Sequence, residues 1–208
     1  MIRKLAILSI LAGGLTALPA AQAAPGSPEP SVAGGGVYGD QNGDLPNFHE
    51  VHPYLFRGGQ PSPAGLKRLK EMGVATIIDL RAKPEQVYQE SSQARALGLR
   101  YINLPMSSRA PTGKQVRTFL KEVDNAASGR SAGPVFVHCA HGSDRTGCLV
   151  GIWRVTHDRY SYDEAYQEMR KYYFGPRFIR LSGAVKEYAA RQQRATAPPG
   201  AQSPPASQ

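Results

Sequence analysis

The stretch from Val135 to Gly147 constrains this 208-residue chain more than any other. Val135, Phe136 and Val137 form an apolar run closed by His138, and Cys139-Ala140-His141-Gly142-Ser143-Asp144-Arg145-Thr146-Gly147 follows directly. A short β-branched and aromatic run reads as a strand buried on both faces, and such strands belong to parallel sheets covered by helices. Gly142, Ser143 and Asp144 then turn the chain into a helix that opens near Arg145. A thiol at the exit of a central strand and a guanidinium at the mouth of a helix, separated by five residues, therefore share one loop.

That arrangement has a chemistry. A loop closing onto a helix N-terminus turns its N–H groups inward, and with the helix dipole these cradle a phosphate or other oxyanion. Gly142 lets the chain curl tightly, while Ala140, His141, Gly142 and Ser143 are the expected substrate-binding positions of the cradle. The planar fork of Arg145 matches two oxygens of a phosphate, and positive surroundings favour the nucleophilic thiolate at Cys139. In-line attack on phosphorus would give a cysteinyl-phosphate that water hydrolyses, splitting one hard displacement into two easier ones. Thr146 is expected to donate its hydroxyl to the sulfur and stabilise it as the leaving group.

The rest of the chain alternates strands with helices. Strands are predicted at 54–57, 75–80, 101–104 and 134–138. Helices are predicted at 63–72 after a Ser62 cap, at 84–97, from Thr112 to about 127, at 146–155, after the Ser161/Glu164 capping box, and at about 177–191. The pattern predicts a single three-layer α/β domain. Its mostly parallel central sheet of four to five strands is flanked by helices, with the site at the carboxyl ends of the strands. Arg81 and Arg109 each follow a strand and are placed to line the rim of that site.

The run His138 to Gly147 resembles the HCxxGxxRTG signature of the cysteine-dependent protein tyrosine and dual-specificity phosphatases. Segment 54–81, which contains FRGGQPSPAGLKRLKEMGVATIIDLR, is similar to the front half of bacterial dual-specificity-like phosphatases, so the resemblance spans about residues 47–190. It implies phosphomonoester hydrolysis at Cys139 and Arg145 without metal or cofactor, and a His138 that fixes the loop from beneath. Most members carry an acidic proton donor on an upstream loop, whereas here 105–112 holds no carboxylate.

Asp144 instead gives C-x4-D-R, which resembles loops of myotubularin-like, Sac-like and some bacterial lipid and tyrosine phosphatases, where that aspartate is a candidate acid. A carboxyl beside a phosphate dianion is driven toward its protonated, donating form. Aspartate is also a good helix cap, and both roles stay open at this point. Asp79, Glu85 and Glu90 are reserve acids, Asp79 reading as a strand end. Ser143 stands where phosphoinositide-selective loops often carry lysine, which argues against a lipid substrate.

Arg3 and Lys4 precede an uncharged run over 5–18, and Ala21, Gln22, Ala23 and Ala24 close it. The pattern reads as a secretory signal peptide over 1–23, too short for the ~20 residues that span a bilayer. No stable membrane insertion is expected after cleavage, and the expected location is a bacterial periplasm or exterior. Residues 24–46 read as a Gly/Pro/Ser/Asp-rich linker, 47–194 as the phosphatase domain, and 195–208, with Pro198, Pro199, Pro204 and Pro205, as a disordered tail.

The two cysteines, Cys139 and Cys148, exclude a disulfide framework, and Cys148 falls one turn into the helix as a buried residue. The five histidines lack ligand spacing, so no metal is expected. The net charge of +9, or +7 without Arg3 and Lys4, attracts anions. The basic residues are scattered, which fits a phosphorylated protein or small phosphorylated substrate and not nucleic acid. Three function classes follow. They are a phosphomonoesterase for phosphotyrosine or for mixed protein, lipid or inositol phosphates, a rhodanese-type sulfurtransferase, and a phosphate-binding module without turnover. The C-x5-R spacing is one residue too long for the second.

Overall fold

The computed structural model describes residues 43–196. The expected signal peptide, most of the expected linker and the tail beyond Thr196 lie outside them. Elements run β1 (His49–His52), β2 (Leu55–Gly58), α1 (Pro63–Glu71), β3 (Thr76–Asp79), α2 (Pro84–Ala96), β4 (Arg100–Asn103), α3 (Gly113–Ala127), β5 (Val135–His138), α4 (Asp144–Thr156), α5 (Tyr162–Lys171) and α6 (Ile179–Thr196). The sheet has the order β1-β2-β5-β3-β4. Only the β1–β2 pair is antiparallel, so β5 is central between parallel neighbours.

Side chains two apart on a strand share a face, and the sequence uses that period on both faces. Leu55, Ile78, Val135 and Val137 point into one core with Phe119, Leu149, Trp153 and Val185 of α3, α4 and α6. Phe56, Ile77 and Phe136 point into the other with Leu66, Leu69 and Ala94 of α1 and α2. Both faces are thereby covered, the three-layer α/β arrangement expected. Removal of each large apolar side chain from water contributes about 1.5–3 kcal/mol. Helix starts follow local rules: Ser62 accepts from Gly65 N, and Thr112 and Ser161 form capping boxes with Gln115 and Glu164.

Three differences from expectation exceed two residues. Strand β1 was not anticipated, because His49, Glu50 and His52 give the stretch little apolar character; Val51 alone of its residues is buried. Within 43–46, the expected end of the linker, Leu45 is buried and the Pro46 carbonyl accepts from Gly59 N at 2.7 Å. Helix α6 reaches Thr196, past the expected start of the tail, since nothing in 191–196 breaks a helix.

Candidate active site

Cys139 leaves the C-terminal end of β5, and its Sγ accepts from the Gly142 N–H at 3.3 Å. The loop curls because Gly142 has φ 74°, in the left-handed region, and because the backbone of 58–59 runs against it. A Cβ on Gly142 would stand 2.4 Å from the Gly58 carbonyl carbon. Each loop carbonyl from Cys139 to Gly142 is bonded. His138 Nδ1 lies 3.2 Å from the Cys139 oxygen, and Gln60 N donates to Ala140 O at 3.1 Å. Asn47 Nδ2 donates to His141 O at 3.2 Å, and Arg57 Nη2 donates to Gly142 O at 2.9 Å. Three of those four donors come from 47–60, which gives the FRGGQ stretch its physical reason.

The mouth is a cavity of about 300 Å³ walled by Ser107, Ser108, His141, Asp144, Arg145, Arg177, Phe178 and Leu181. Arg145 Nη1 donates to Leu80 O at 3.4 Å, a long bond at the carboxyl end of the sheet. Cys139 is 2 % exposed and is not part of that wall, whereas His141 and Arg145 are. Asp144 is the first residue of α4; the N-cap is Ser143, which makes no side-chain cap bond. The Asp144 carboxylate accepts instead from Gly175 N at 2.8 Å, and among the described residues it is the only carboxylate in the wall of this cavity.

Beneath the loop lies a buried polar floor. Arg81 Nε and Nη2 bond the two oxygens of Asp79 at 2.9 and 2.8 Å, and Nη2 also bonds Glu90 at 2.7 Å. Tyr101 Oη donates to Asp79 at 2.5 Å. His138 Nε2 lies 2.8 Å from the other Glu90 oxygen, a close approach without hydrogen-bond alignment. Burial works against the charge of Asp79, but the Arg81 bonds, the neighbouring His138 and the Tyr101 bond together outweigh it and hold the carboxyl below its usual range. Burial and the bond to Asp79 push the Tyr101 hydroxyl far up. Asp79, Glu90 and His138 are close enough together to hold a metal ion, but Arg81 already fills the place of a cation.

Several candidates are thereby relocated. Arg81, 2 % exposed, is part of the floor and not the rim. Arg109 is exposed and lines a neighbouring cavity of about 260 Å³ with Ala82, Pro105 and Gln115, sharing only Ser107 with the mouth. The Thr146 hydroxyl is buried and makes no hydrogen bond, so the sulfur's partner is the Gly142 N–H and not Thr146. Ser143 is buried, its Oγ 3.5 Å from His141 O. Of the reserve acids, Asp79 and Glu90 are held in the floor and Glu85 is exposed on α2. Cys148 donates to Leu181 O at 3.3 Å, and burial pushes its thiol beyond the ordinary range.

Sequence reasoning missed Arg57 and Asn47. Arg57 is 0 % exposed inside an otherwise apolar strand, and a lone arginine followed by two glycines was the available signal. Asn47 adopts φ 50° and ties His141 O and Tyr172 O together, with His49 Nε2 3.0 Å from its Oδ1. Nothing in the local pattern marks it.

A parallel sheet ending in a C-x5-R cradle places the molecule in the dual-specificity and tyrosine phosphatase class of fold. Residues 37–187 match the family described as DSP-PTPase phosphatase fused to NAD+ kinase, and the chain belongs to that family. It is 32% identical over 123 residues to NAD kinase 2, chloroplastic, of Arabidopsis thaliana, covering 57% of this chain and 12% of that one. It is 24% identical over 129 residues to the dual specificity protein phosphatase TpbA of Pseudomonas aeruginosa, covering 62% and 56%. It is 31% identical over 123 residues to inositol diphosphatase DSP3 of Arabidopsis thaliana, covering 55% and 59%. The chain thus spans less than two thirds of each relative. The crystal structure of TpbA in complex with pTyr superposes with a TM-score of 0.56 at 20% identity, covering 73% of this chain and 91% of that one, which shows a shared fold.

Proposed function

We propose that this protein hydrolyses phosphate monoesters through a cysteinyl-phosphate at Cys139. The observation that carries the reading is the bonding of every loop carbonyl from Cys139 to Gly142 to groups behind the loop, which leaves its N–H side to an anion. In the first step the Cys139 thiolate attacks phosphorus, the S–P bond forms and the ester P–O bond breaks. Asp144 gives its proton to the departing oxygen, and Arg145 exchanges its long bond to Leu80 for two phosphate oxygens. In the second step water attacks phosphorus, Asp144 takes the proton, the S–P bond breaks and inorganic phosphate leaves.

Phosphotyrosine or a broad range of dual-specificity substrates is the first reading of specificity, supported by the pTyr complex of TpbA. A phosphorylated inositol is the second, favoured by Arg177 and His141 standing with Arg145 at one mouth and by the name of the inositol diphosphatase relative. Export to a bacterial periplasm or exterior is part of the proposal and rests on the charged, apolar and small-residue pattern of residues 1–24.

The test is steady-state hydrolysis of a small aryl phosphate under reducing conditions. Turnover by the wild type and its loss in Cys139→Ser are expected. A wild type that binds phosphate without turnover would replace this reading by the binding module.

A further inference from the structure

We propose that Arg57 is a positioning residue for the nucleophile loop. Its guanidinium, reaching up from β2, fixes the Gly142 carbonyl away from the anion cradle and adds a buried positive charge beneath it. The inference rests on the phosphatase reading above and names the device that shapes its loop.

The peptide between Gly142 and Ser143 decides whether an N–H or a C=O faces a bound oxyanion. Gly142 is in the left-handed region, where a glycine peptide turns over at little steric cost, so the residue that permits the curl also permits the wrong orientation. Arg57 Nη2 holds the Gly142 carbonyl at 2.9 Å in the orientation that turns it outward. The guanidinium is itself fixed: it lies 4.5 Å from the centre of the Tyr172 ring, and Asn47 bridges Tyr172 O to His141 O of the same loop.

A purely structural role would not call for this residue. Arg57 is fully buried and has no carboxylate within ion-pair distance among the described residues, and its Nε and Nη1 make no hydrogen bond. Its Nη2 stands 3.7 Å from the site of a Cβ on Gly147, in the first turn of α4, where a cation opposes the helix dipole. Burial pushes its pKa down to about 10, against the opposing pull of Glu168, Tyr172 and Cys139, so the group is still charged at neutral pH. An unpaired buried charge is destabilising where an apolar side chain would pack. The helix N-terminus, Arg145 and Arg57 together place positive potential around one loop, which is favourable when an anion, the thiolate or a phosphate, occupies it.

The experiment is calorimetric titration of the full chain with tungstate, a phosphate-like oxyanion that needs no turnover, beside thermal unfolding. Arg57→Met and Arg57→Gln are expected to bind tungstate about 10- to 100-fold more weakly, the range for loss of a charge-assisted hydrogen bond, while remaining folded. Arg57→Lys, which keeps the charge, is expected to recover most of the loss. A folded Arg57→Met with wild-type tungstate affinity would overturn the proposal. If Arg57→Met does not fold, equal weakening in Arg57→Lys and Arg57→Gln would overturn it, and recovery in Arg57→Lys would support it. A wild type that binds no tungstate would remove the phosphatase reading and this inference together, whereas wild-type binding with unaffected variants removes this inference alone.

Discussion

The carboxylate of Asp144 accepts a hydrogen bond from the Gly175 N–H at 2.8 Å, so the residue before Arg145 is tied to the segment that brings Arg177 and Phe178 to the same mouth. One carboxylate oxygen is a tether, and the group remains the only acid in the cavity wall among the described residues. Asparagine keeps an oxygen for Gly175 but carries no proton to give. Asp144→Asn is therefore expected to retain thermal stability and to lose about 10²–10⁴-fold in kcat on an alkyl phosphate, with a smaller loss on a good aryl leaving group. Asp144→Ala loses the tether as well, so its Tm falls by what one hydrogen bond of about 1 kcal/mol supplies. Equal kcat losses on both substrates in Asp144→Asn would contradict the acid role.

Gly142→Ala tests the curl. A residue with a Cβ at φ 74° costs about 1–2 kcal/mol on conformation alone. The added carbon would also stand 2.4 Å from backbone that cannot yield cheaply. Denaturant unfolding is expected to show a loss larger than the conformational figure, with kcat/KM falling further than stability does. A variant of wild-type activity would mean the loop does not need this backbone.

His49 is held neutral. Burial, then the charges of Arg57 and Lys171, lower its pKa from 6.5 to about 4. Between those values the unfolded chain binds a proton that the folded chain refuses, so stability falls as pH drops from 6.5 to 4 and levels off below. His49 is only partly buried, and solvent screening reduces the full linkage value to about 1–2 kcal/mol. Urea unfolding of wild type and His49→Gln at several pH values is expected to show a flatter acid limb in the variant. Parallel curves would contradict the assignment.

Arg81 distinguishes floor from rim. A rim arginine would raise KM on removal and leave folding intact. Arg81→Met instead leaves Asp79 and Glu90 buried without their cation, which costs about 3–5 kcal/mol, so loss of stability is the expected outcome. Because the Asp79 carboxyl is held below its usual value near 3.8, its contribution is present above that pH and lost as pH falls further. Asp79→Asn should weaken the wild type's acid unfolding below that point.

Much of this arrangement was legible in the sequence. The unbroken apolar run of Val135, Phe136 and Val137 marked the central strand, and Ser62, Thr112 and Ser161 marked helix starts through local chemistry. Cys139, His141, Asp144 and Arg145 were found because one loop carries them in sequence. Arg57, Asn47 and Gln60 act on that loop across some eighty to ninety residues of chain, and no short-range pattern encodes such a pairing. Arg81 was misplaced for the related reason that its position after a strand is local, whereas its bond to Glu90 depends on how α2 packs.

Rapid acid quench during turnover of an aryl phosphate, followed by mass spectrometry of the peptide holding Cys139, reads out the cysteinyl-phosphate itself. A phosphate adduct on the Cys139 sulfur is expected to appear with turnover, to decay when substrate is exhausted and to be absent in Cys139→Ser. Turnover with no adduct on Cys139, and with Cys139→Ser still active, would contradict the cysteinyl-phosphate route.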